Sequence, residues 1–284
     1  MAEELELRTP HLRLAARAWG PLNGIPVLAL HGWLDNAASF DALAPLLPGV
    51  RLVALDLPGH GHSDCRPPGV HYHFVDFIPD VVAAADALGW DRFALLGHSL
   101  GGGIASFVAA TLPERIARLA MIEGLGPPTS NPADGPTHLR KAIEQMNGLP
   151  RKRPPLYPNL EAAIQARCEA SGLSWTAAAI LVGRSIQAVG DGYGWRTDPR
   201  LRFVSPLYLS EPQILAYMER IAAPALLICG ADGYLVKRTY MQERYARIAG
   251  LTVRILPGGH HPHLEDPEPC ARLLAPFFAA DRAA

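Results

Sequence analysis

The chain has 284 residues, of which 49% are hydrophobic and 19% are charged. This composition excludes an intrinsically disordered chain, because the apolar content is high enough for a packed core. The 26 lysines and arginines nearly balance the 27 aspartates and glutamates. The chain therefore lacks the basic excess of nucleic-acid-binding proteins, and we expect no nucleic-acid partner.

The cysteines and the first residues indicate a cellular compartment. Four cysteines lie far apart without a CxxC pair, which favours neither a zinc site nor a disulfide framework and suits a reducing environment. Residues 1–4 are acidic, unlike a signal peptide, and no apolar run approaches the length that spans a bilayer. We expect a cytoplasmic protein without a membrane partner.

Short apolar runs between turn residues predict strands in the first part of the chain. Continuous runs of this kind are typical of strands buried on both faces, as in a parallel sheet. The predicted strands are residues 5–7, 12–19, 27–30, 51–55, 93–96 and 119–122. The predicted helices are residues 36–47, with Asp35 and Asn36 as candidate caps, 74–88 and 100–112.

The same alternation resumes near the C-terminus. Residues 225–229 and 252–256 are predicted strands, and residues 239–249 and 269–280 are predicted helices. Strands that alternate with helices favour a doubly wound α/β sheet.

Residues 126–205 interrupt the alternation. They contain predicted helices at 139–146, 160–170 and 175–189, no clear strand, and a basic, proline-rich run at 151–155 that we interpret as a solvated linker. We predict that this segment is a helical cap, inserted into a core formed by residues 1–125 and 206–284. Its aromatic residues are candidates for the lining of an apolar pocket: Trp175, Tyr193, Trp195, Phe203 and Tyr208.

The sequence Gly-His-Ser-Leu-Gly at residues 97–101 follows a predicted strand and begins a predicted helix. This is the G-x-S-x-G motif in the context that it requires, and it places Ser99 on a tight, strained turn. Its neighbours must be small for the turn to close, and the helix directs free N–H groups towards the serine. We predict Ser99 to be a nucleophile.

An earlier strand ends at His31-Gly32-Trp33, which suggests a binding site for an oxyanion. Acyl transfer places negative charge on a carbonyl oxygen, and preorganised N–H donors stabilise that charge. We predict that the backbone amide of Leu100 supplies one donor and that of Trp33, or alternatively Leu34, the other.

Three histidines, at positions 260, 261 and 263, follow the last predicted strand. His260 is the predicted base because it directly follows the glycine turn that ends the strand, and His261 is the alternative. His263 is interpreted as a packing residue at the start of the last helix. No carboxylate-bearing zinc signature accompanies them, so we expect neither a metal nor a cofactor. Other histidines flank turns and are interpreted as loop residues: His60, His62, His71 and His73.

Four segments, residues 31–36, 56–64, 97–101 and 259–260, together resemble the α/β-hydrolase superfamily. The resemblance covers nearly the whole chain and implies a mostly parallel, eight-stranded sheet with an inserted helical cap. It also implies that Asp56 organises a loop. Residues 31–36 and 194–201 look like the serine hydrolase-like subgroup, which brings no defined substrate. Similar proteins that open epoxides or displace halide carry a carboxylate at the nucleophile position, so the serine disfavours those reactions.

In the superfamily, the acid of the triad commonly follows the strand after the cap, three residues beyond a glycine. That position is Gly233 in this chain, and Asp232 lies one residue earlier. Another known placement is the end of the strand before the cap, where this chain has Glu123. Both carboxylates stay open; we favour Glu123, because a glutamate at a strand end has the longer reach, and keep Asp232 as the alternative.

Together these residues predict a serine hydrolase that cleaves a carboxylic ester through a Ser-His-acid triad and an acyl-enzyme intermediate. Thioester or carbon–carbon bond hydrolysis, perhydrolysis or a lyase reaction on the same site is the alternative, because one fold supports many chemistries. A third class is a non-catalytic small-molecule binding protein. The expected partner is a small apolar ester, and the expected assembly is a monomer or a homodimer.

Overall fold

A computed structural model describes residues 2–149 and 154–280 of the chain. Its strands are β1 (Glu3–Arg8), β2 (Arg13–Trp19), β3 (Ile25–Leu30), β4 (Val50–Leu55), β5 (Phe93–His98), β6 (Ile116–Ile122), β7 (Ile186–Val189), β8 (Gly192–Trp195), β9 (Ala225–Gly230) and β10 (Thr252–Leu256). Its α-helices are α1 (Phe77–Ala87), α2 (Leu100–Thr111), α3 (Gly135–Gly148), α4 (Leu160–Ser171), α5 (Trp175–Ser185), α6 (Glu211–Met218), α7 (Met241–Arg247), α8 (Pro262–Glu265) and α9 (Pro267–Ala279).

Eight strands form one sheet in the order β1-β2-β4-β3-β5-β6-β9-β10. Strand β2 pairs antiparallel with β1 and β4, and the other neighbouring pairs are parallel. This confirms the predicted α/β fold with a mostly parallel, eight-stranded sheet. The chain order reverses between β3 and β5, and ligands of such sheets bind in the crevice at the carboxyl ends of the strands flanking the reversal.

Successive residues of the central strands face opposite sides of the sheet, and both sides are buried. Leu28 and Leu30 of β3 belong to a core that includes residues of α1 and α2, whereas Val27 and Ala29 belong to a second core that includes residues of α9. Burial on both faces explains why these strands are continuous apolar runs in the sequence.

The helix predicted over residues 36–47 is wrong, because this segment forms two short 3₁₀ turns instead. Asn36 caps the first turn, as predicted, since its side chain accepts a hydrogen bond of 2.9 Å from the Ala38 amide. An α-helix does not continue through the segment because Pro45 lacks the N–H group that would donate to the carbonyl of residue 41.

The segment between β6 and β9 contains α3 to α6 and a separate two-stranded sheet of β7 and β8. The predictions of no strand here and of a helix over residues 175–189 are therefore wrong. Helix α5 ends at Ser185, and β7 and β8 form an antiparallel hairpin. Gly190, with φ of 58°, and Asp191 join its strands. A two-residue Gly-Asp loop is a hairpin signal that the helical interpretation missed.

The other predicted elements are present with small shifts of their ends. The helix predicted over residues 74–88 begins with a 3₁₀ turn and becomes α1 at Phe77. Of the predicted basic linker, residues 151–153 lie outside the described residues. Within the described ranges, no helix combines the length and the apolar character needed to cross a membrane.

Candidate active site

Ser99 lies on the turn between β5 and α2, at the carboxyl edge of the sheet. Its backbone adopts φ 52° and ψ −113°, a conformation that costs a residue with a side chain about 1–3 kcal/mol. Glycines allow the turn to close: a Cβ atom on Gly101 would lie 2.0 Å from the Leu30 carbonyl oxygen, and one on Gly97 would lie 2.3 Å from that of Gly101. The motif therefore has the strand–turn–helix context predicted from the sequence.

His260 lies within hydrogen-bond distance of Ser99. The chain turns back over the edge of the sheet after β10 at Gly258, which adopts φ 102°. The turn brings His260 Nε2 to 2.9 Å from Ser99 Oγ. His261, the alternative base, faces Asp35 instead, with 3.5 Å between its Nε2 and Asp35 Oδ2.

Glu123 follows β6 directly and is buried. Its Oε2 lies 3.1 Å from His260 Nδ1 and accepts a hydrogen bond of 2.8 Å from the Tyr234 amide, while Oε1 accepts one of 2.9 Å from the Gly230 amide. Burial alone would raise the pKa of this carboxyl, but the hydrogen bonds outweigh burial and lower the pKa below its usual value. The carboxylate is therefore ionised beside the histidine at neutral pH.

Asp232, the alternative acid, is exposed. No hydrogen bond among the described residues joins its side chain to His260. The neighbouring position is filled by the other candidate, since a Cβ atom on Gly233 would lie 2.2 Å from Glu123 Oε1. Of the two carboxylates that the sequence left open, the structure brings Glu123 to the histidine.

Two of the three candidate oxyanion donors, Trp33 and Leu34, lie on the loop after β3. The Leu34 amide donates a hydrogen bond of 3.3 Å to His60 Nε2, which engages the alternative donor. Leu100 begins α2, and the first amides of a helix have no acceptor within it. Over residues 2–149 and 154–280, no hydrogen bond engages the Trp33 or Leu100 amide. Both amides are therefore without an acceptor among the described residues.

Two buried histidines, to which the sequence analysis gave no role in the site, support this loop. His60 accepts a hydrogen bond from the Leu34 amide. His31 donates a hydrogen bond of 2.7 Å from Nδ1 to the Gly32 carbonyl, and its Nε2 accepts one of 3.0 Å from the Leu57 amide. Burial, reinforced by the neighbouring His31, lowers the pKa of His60 to about 3. The sequence feature that could have identified both histidines is their position in segments that resemble the superfamily.

Asp56 connects three parts of the chain around the site. Its carboxylate accepts hydrogen bonds of 2.8 Å from the Ala37 and His62 amides and of 2.9 Å from Arg184 Nε. These contacts confirm the loop-organising role that the resemblance implies.

The other predicted loop and packing histidines lie as follows: His62 is exposed in a turn, His71 and His73 precede α1, and His263 in α8 is buried with Nε2 2.8 Å from Ser39 Oγ.

A group of polar side chains that we call the Asp35 cluster, consisting of Asp35, His98 and His261, lies beside the candidate triad. Asp35, a predicted helix cap, is instead buried and forms an ion pair with Arg167. His98 donates from Nε2 to the His260 carbonyl (2.8 Å), and burial lowers its pKa to about 4. Sequence reasoning missed the cluster because its members come from three separate parts of the chain: the loop after β3, the end of β5 and the loop before α8.

Two cavities share Trp33 in their lining. The first, of about 300 Å³, is lined by Ser99 and His260 and carries the charged side chains of Arg167 and Arg202. The second, of about 190 Å³, is apolar. Its lining includes Leu100, Trp33 and the following aromatic and leucine side chains: Tyr72, Phe74, Phe77, Leu201, Leu207 and Leu209.

The aromatic residues proposed for the pocket lining have different positions. Tyr208 lines the apolar cavity. Trp195 lines a third cavity of about 390 Å³, which shares Arg167 and Arg202 with the polar one. The remaining three line none of these cavities: Trp175, Tyr193 and Phe203.

Residues 25–267 match the family model of the alpha/beta hydrolase fold. The chain belongs to the α/β-hydrolase family. Within it, the chain is 33% identical to a serine hydrolase-like protein of Danio rerio, over 98% of this chain and 88% of that protein. It is 32% identical to serine hydrolase-like protein 2 of Homo sapiens, over 98% of this chain and 94% of that protein.

A solved structure is similar to this α/β-hydrolase over its whole length. The crystal structure of a hypothetical protein from Pseudomonas aeruginosa PAO1 has a TM-score of 0.92 and 44% sequence identity, and the match covers 99% of this chain and 100% of that chain. The relatives therefore confirm both the superfamily and the resemblance to serine hydrolase-like proteins.

Proposed function

We propose that this protein is a serine hydrolase that cleaves carboxylic esters through an acyl-enzyme intermediate, with Ser99, His260 and Glu123 as its triad. One observation carries the proposal: the imidazole of His260 lies between the Ser99 hydroxyl, at 2.9 Å, and the buried Glu123 carboxylate, at 3.1 Å. A nucleophile, a base and an orienting acid in hydrogen-bond sequence are the geometric signature of this chemistry.

In the first half of the reaction, His260 Nε2 takes the proton of Ser99 Oγ as the oxygen attacks the ester carbonyl carbon. The amides of Leu100 and Trp33 donate to the oxyanion of the tetrahedral intermediate. The intermediate collapses when the carbon–oxygen bond to the alcohol breaks, and the imidazolium returns its proton to the leaving alcohol. The acyl group stays on Ser99.

In the second half, His260 takes a proton from water, and the resulting nucleophile attacks the acyl carbon. Collapse of this second intermediate breaks the bond to Ser99 Oγ, which recovers the proton, and releases the carboxylic acid. Glu123 supports both halves, because it keeps the proton of the neutral imidazole on Nδ1 and stabilises the imidazolium.

The two cavities suggest where the acyl part and the alcohol part of the substrate bind. The apolar cavity contains Leu100 and Trp33, the proposed oxyanion donors, so an acyl chain attached to the reacting carbonyl would enter it. Its volume of about 190 Å³ is below the roughly 300–1,000 Å³ of common ligand pockets. We propose a short apolar acyl chain there and the alcohol in the polar cavity.

We also propose that residues 126–205 act as a cap over a core of residues 1–125 and 206–284. Side chains of this segment, including Arg167 and Arg202, line the cavity that contains Ser99. Its helix α5 is tied to the core by Asn36, whose side chain donates to the Leu181 carbonyl (2.8 Å) and lies 2.7 Å from Ser185 Oγ.

A panel of p-nitrophenyl esters of increasing acyl length tests the proposal. We expect turnover to be highest for short acyl chains and to be abolished by Ser99→Ala. Ser171→Ala is the matched control, because Ser171 lines the same cavity without contacting the imidazole. It should keep wild-type turnover.

A fluorophosphonate probe separates the competing functions. Labelling of Ser99 without ester turnover would indicate another reaction on the same site, such as thioester or carbon–carbon bond hydrolysis. No labelling and no turnover would favour a non-catalytic binding protein and contradict the proposal.

A further inference from the structure

The Asp35 cluster contains a buried nitrogen atom without a hydrogen-bond partner. His98 Nε2 lies 2.8 Å from the carbonyl oxygen of His260, and because a carbonyl only accepts hydrogen bonds, this nitrogen carries the proton. His98 is fully buried, which favours the neutral imidazole. Its Nδ1 therefore presents a lone pair, and among the described residues that atom has no partner.

This lone pair faces the lone pairs of a carboxylate. Asp35 Oδ2 lies 3.6 Å from His98 Nδ1 and 3.5 Å from His261 Nε2, which exceeds the usual length of a hydrogen bond. Acceptors that face one another in a buried site are costly unless a donor or a cation lies between them. The arrangement therefore provides acceptor atoms for a donor or a cation.

We propose that the Asp35 cluster binds a divalent transition-metal ion of the zinc class through Asp35 Oδ2, His98 Nδ1 and His261 Nε2. The three atoms lie within 4.8 Å of one another. Zinc binds such atoms at about 2.0–2.2 Å, which places tetrahedral ligands about 3.3–3.6 Å apart. The separations of 3.5 and 3.6 Å from Asp35 Oδ2 match this geometry.

The surroundings of the cluster leave room for an ion. All three side chains line the cavity that contains Ser99, so an ion can enter and keep a solvent ligand. A Cβ atom on Gly32 would lie 2.8 Å from Asp35 Oδ2 and 2.9 Å from His98 Nδ1, so the glycine keeps the space beside both atoms open. Arg167 pairs with the other oxygen of Asp35. Because its charge opposes a second cation, we expect weaker binding than in a structural zinc site.

This proposal departs from the sequence-based expectation that no metal binds. The spacing of the histidines after β10 does not by itself predict a zinc site, because only one of them, His261, is a proposed ligand. The carboxylate comes from the loop after β3, and the third ligand comes from the end of β5. The site depends on the contact of two loops with the end of β5.

Titration with Co²⁺ tests the site, because tetrahedral cobalt gives a visible absorption band that depends on its ligands. Tag-free protein is stripped with a chelator, titrated with Co²⁺ and then with Zn²⁺. We expect one equivalent of Co²⁺ to produce the band and Zn²⁺ to displace it. His261→Gln and Asp35→Asn should weaken binding more than about 10-fold, whereas His71→Gln, a histidine outside the cluster, should bind as the wild type does.

Failure of the wild-type protein to bind in a large excess of metal would overturn the proposal, whatever the variants do. Equal binding by folded His261→Gln, with folding established by circular dichroism, would also overturn it. Ser99→Ala should bind cobalt normally, so the metal site is tested independently of the proposed function.

A second consequence does rest on the proposed function. The ring centroids of His98 and His261 lie 4.9 and 5.0 Å from that of His260. A dication bound there opposes the positive charge that His260 acquires during acyl transfer. We expect Zn²⁺ to lower ester turnover by about 10-fold or more through this charge repulsion, and a chelator to restore it. Unchanged turnover at a saturation established by the cobalt spectrum would refute this inhibition.

Discussion

Replacing Glu123 with glutamine tests the assignment of the acid. The carboxylate is buried and lies 3.1 Å from His260 Nδ1. At an effective dielectric constant of about 20, two unit charges at this distance attract by about 5 kcal/mol, which sets an upper limit of about 10,000-fold on the loss of rate. Glutamine keeps the shape but not the charge that stabilises the imidazolium. We expect kcat to fall by about 1,000- to 10,000-fold with little change in KM.

The assay is steady-state hydrolysis of a p-nitrophenyl ester, together with the rate of fluorophosphonate labelling at Ser99. Asp232→Asn is the matched control. Its kcat should stay within about 2-fold of the wild-type value, because the substitution removes no binding energy and no charge at the site. Thermal unfolding of both variants is measured in parallel, because a glutamine N–H group facing the Gly230 or Tyr234 amide costs about 1–3 kcal/mol. Wild-type activity in folded Glu123→Gln, with loss of activity in Asp232→Asn, would show that the acid is wrongly assigned.

Other predictions concern packing, the cavity and pH. Gly233→Ala should lower both the melting temperature and ester turnover, because its Cβ would lie 2.2 Å from the Glu123 carboxylate; an unchanged melting curve would contradict this. Leu209→Trp should reduce kcat/KM for longer acyl chains more than for acetate, measured on the ester panel, because it fills the apolar cavity. Burial alone would raise the pKa of Asp198, but hydrogen bonds from Arg200 lower it below its usual value. Its contribution to stability is therefore complete above about pH 4 and is lost as the pH falls through the lowered pKa. Denaturant unfolding should accordingly show a flatter acid dependence in Asp198→Asn, and identical pH profiles would refute this.

The sheet and the nucleophile turn could be predicted because both depend on local patterns. Strands buried on both faces are continuous apolar runs, and the motif at residues 97–101 specifies its own turn. The hairpin of β7 and β8 was missed because its residues follow helix α5 without interruption. In so short a run, the periodicity of apolar residues does not distinguish a strand from a continuing helix. Only the short Gly190-Asp191 loop marks it.

The site could be predicted only in part, because a sequence orders residues along the chain and not in space. Ser99 and His260 follow glycine-containing turns at predicted strand ends, which were sufficient to select them. Two carboxylates stayed open for the acid, since the choice depends on which one packs between β6 and β9. The Asp35 cluster had no signal at all, because its histidines and carboxylate come from three distant parts of the chain that meet only in the folded protein.

Three residues other than glycine adopt positive φ in the described part of the chain: Leu34, Ser99 and Glu123. All three lie on the loops that build the candidate site, and glycine would adopt each conformation without strain. Ser99→Gly should therefore melt at a higher temperature than the wild type while having no nucleophile. If Ser99 is the proposed nucleophile, thermal stability and turnover oppose each other at this position, and laboratory evolution that selects for heat resistance alone would remove the proposed activity.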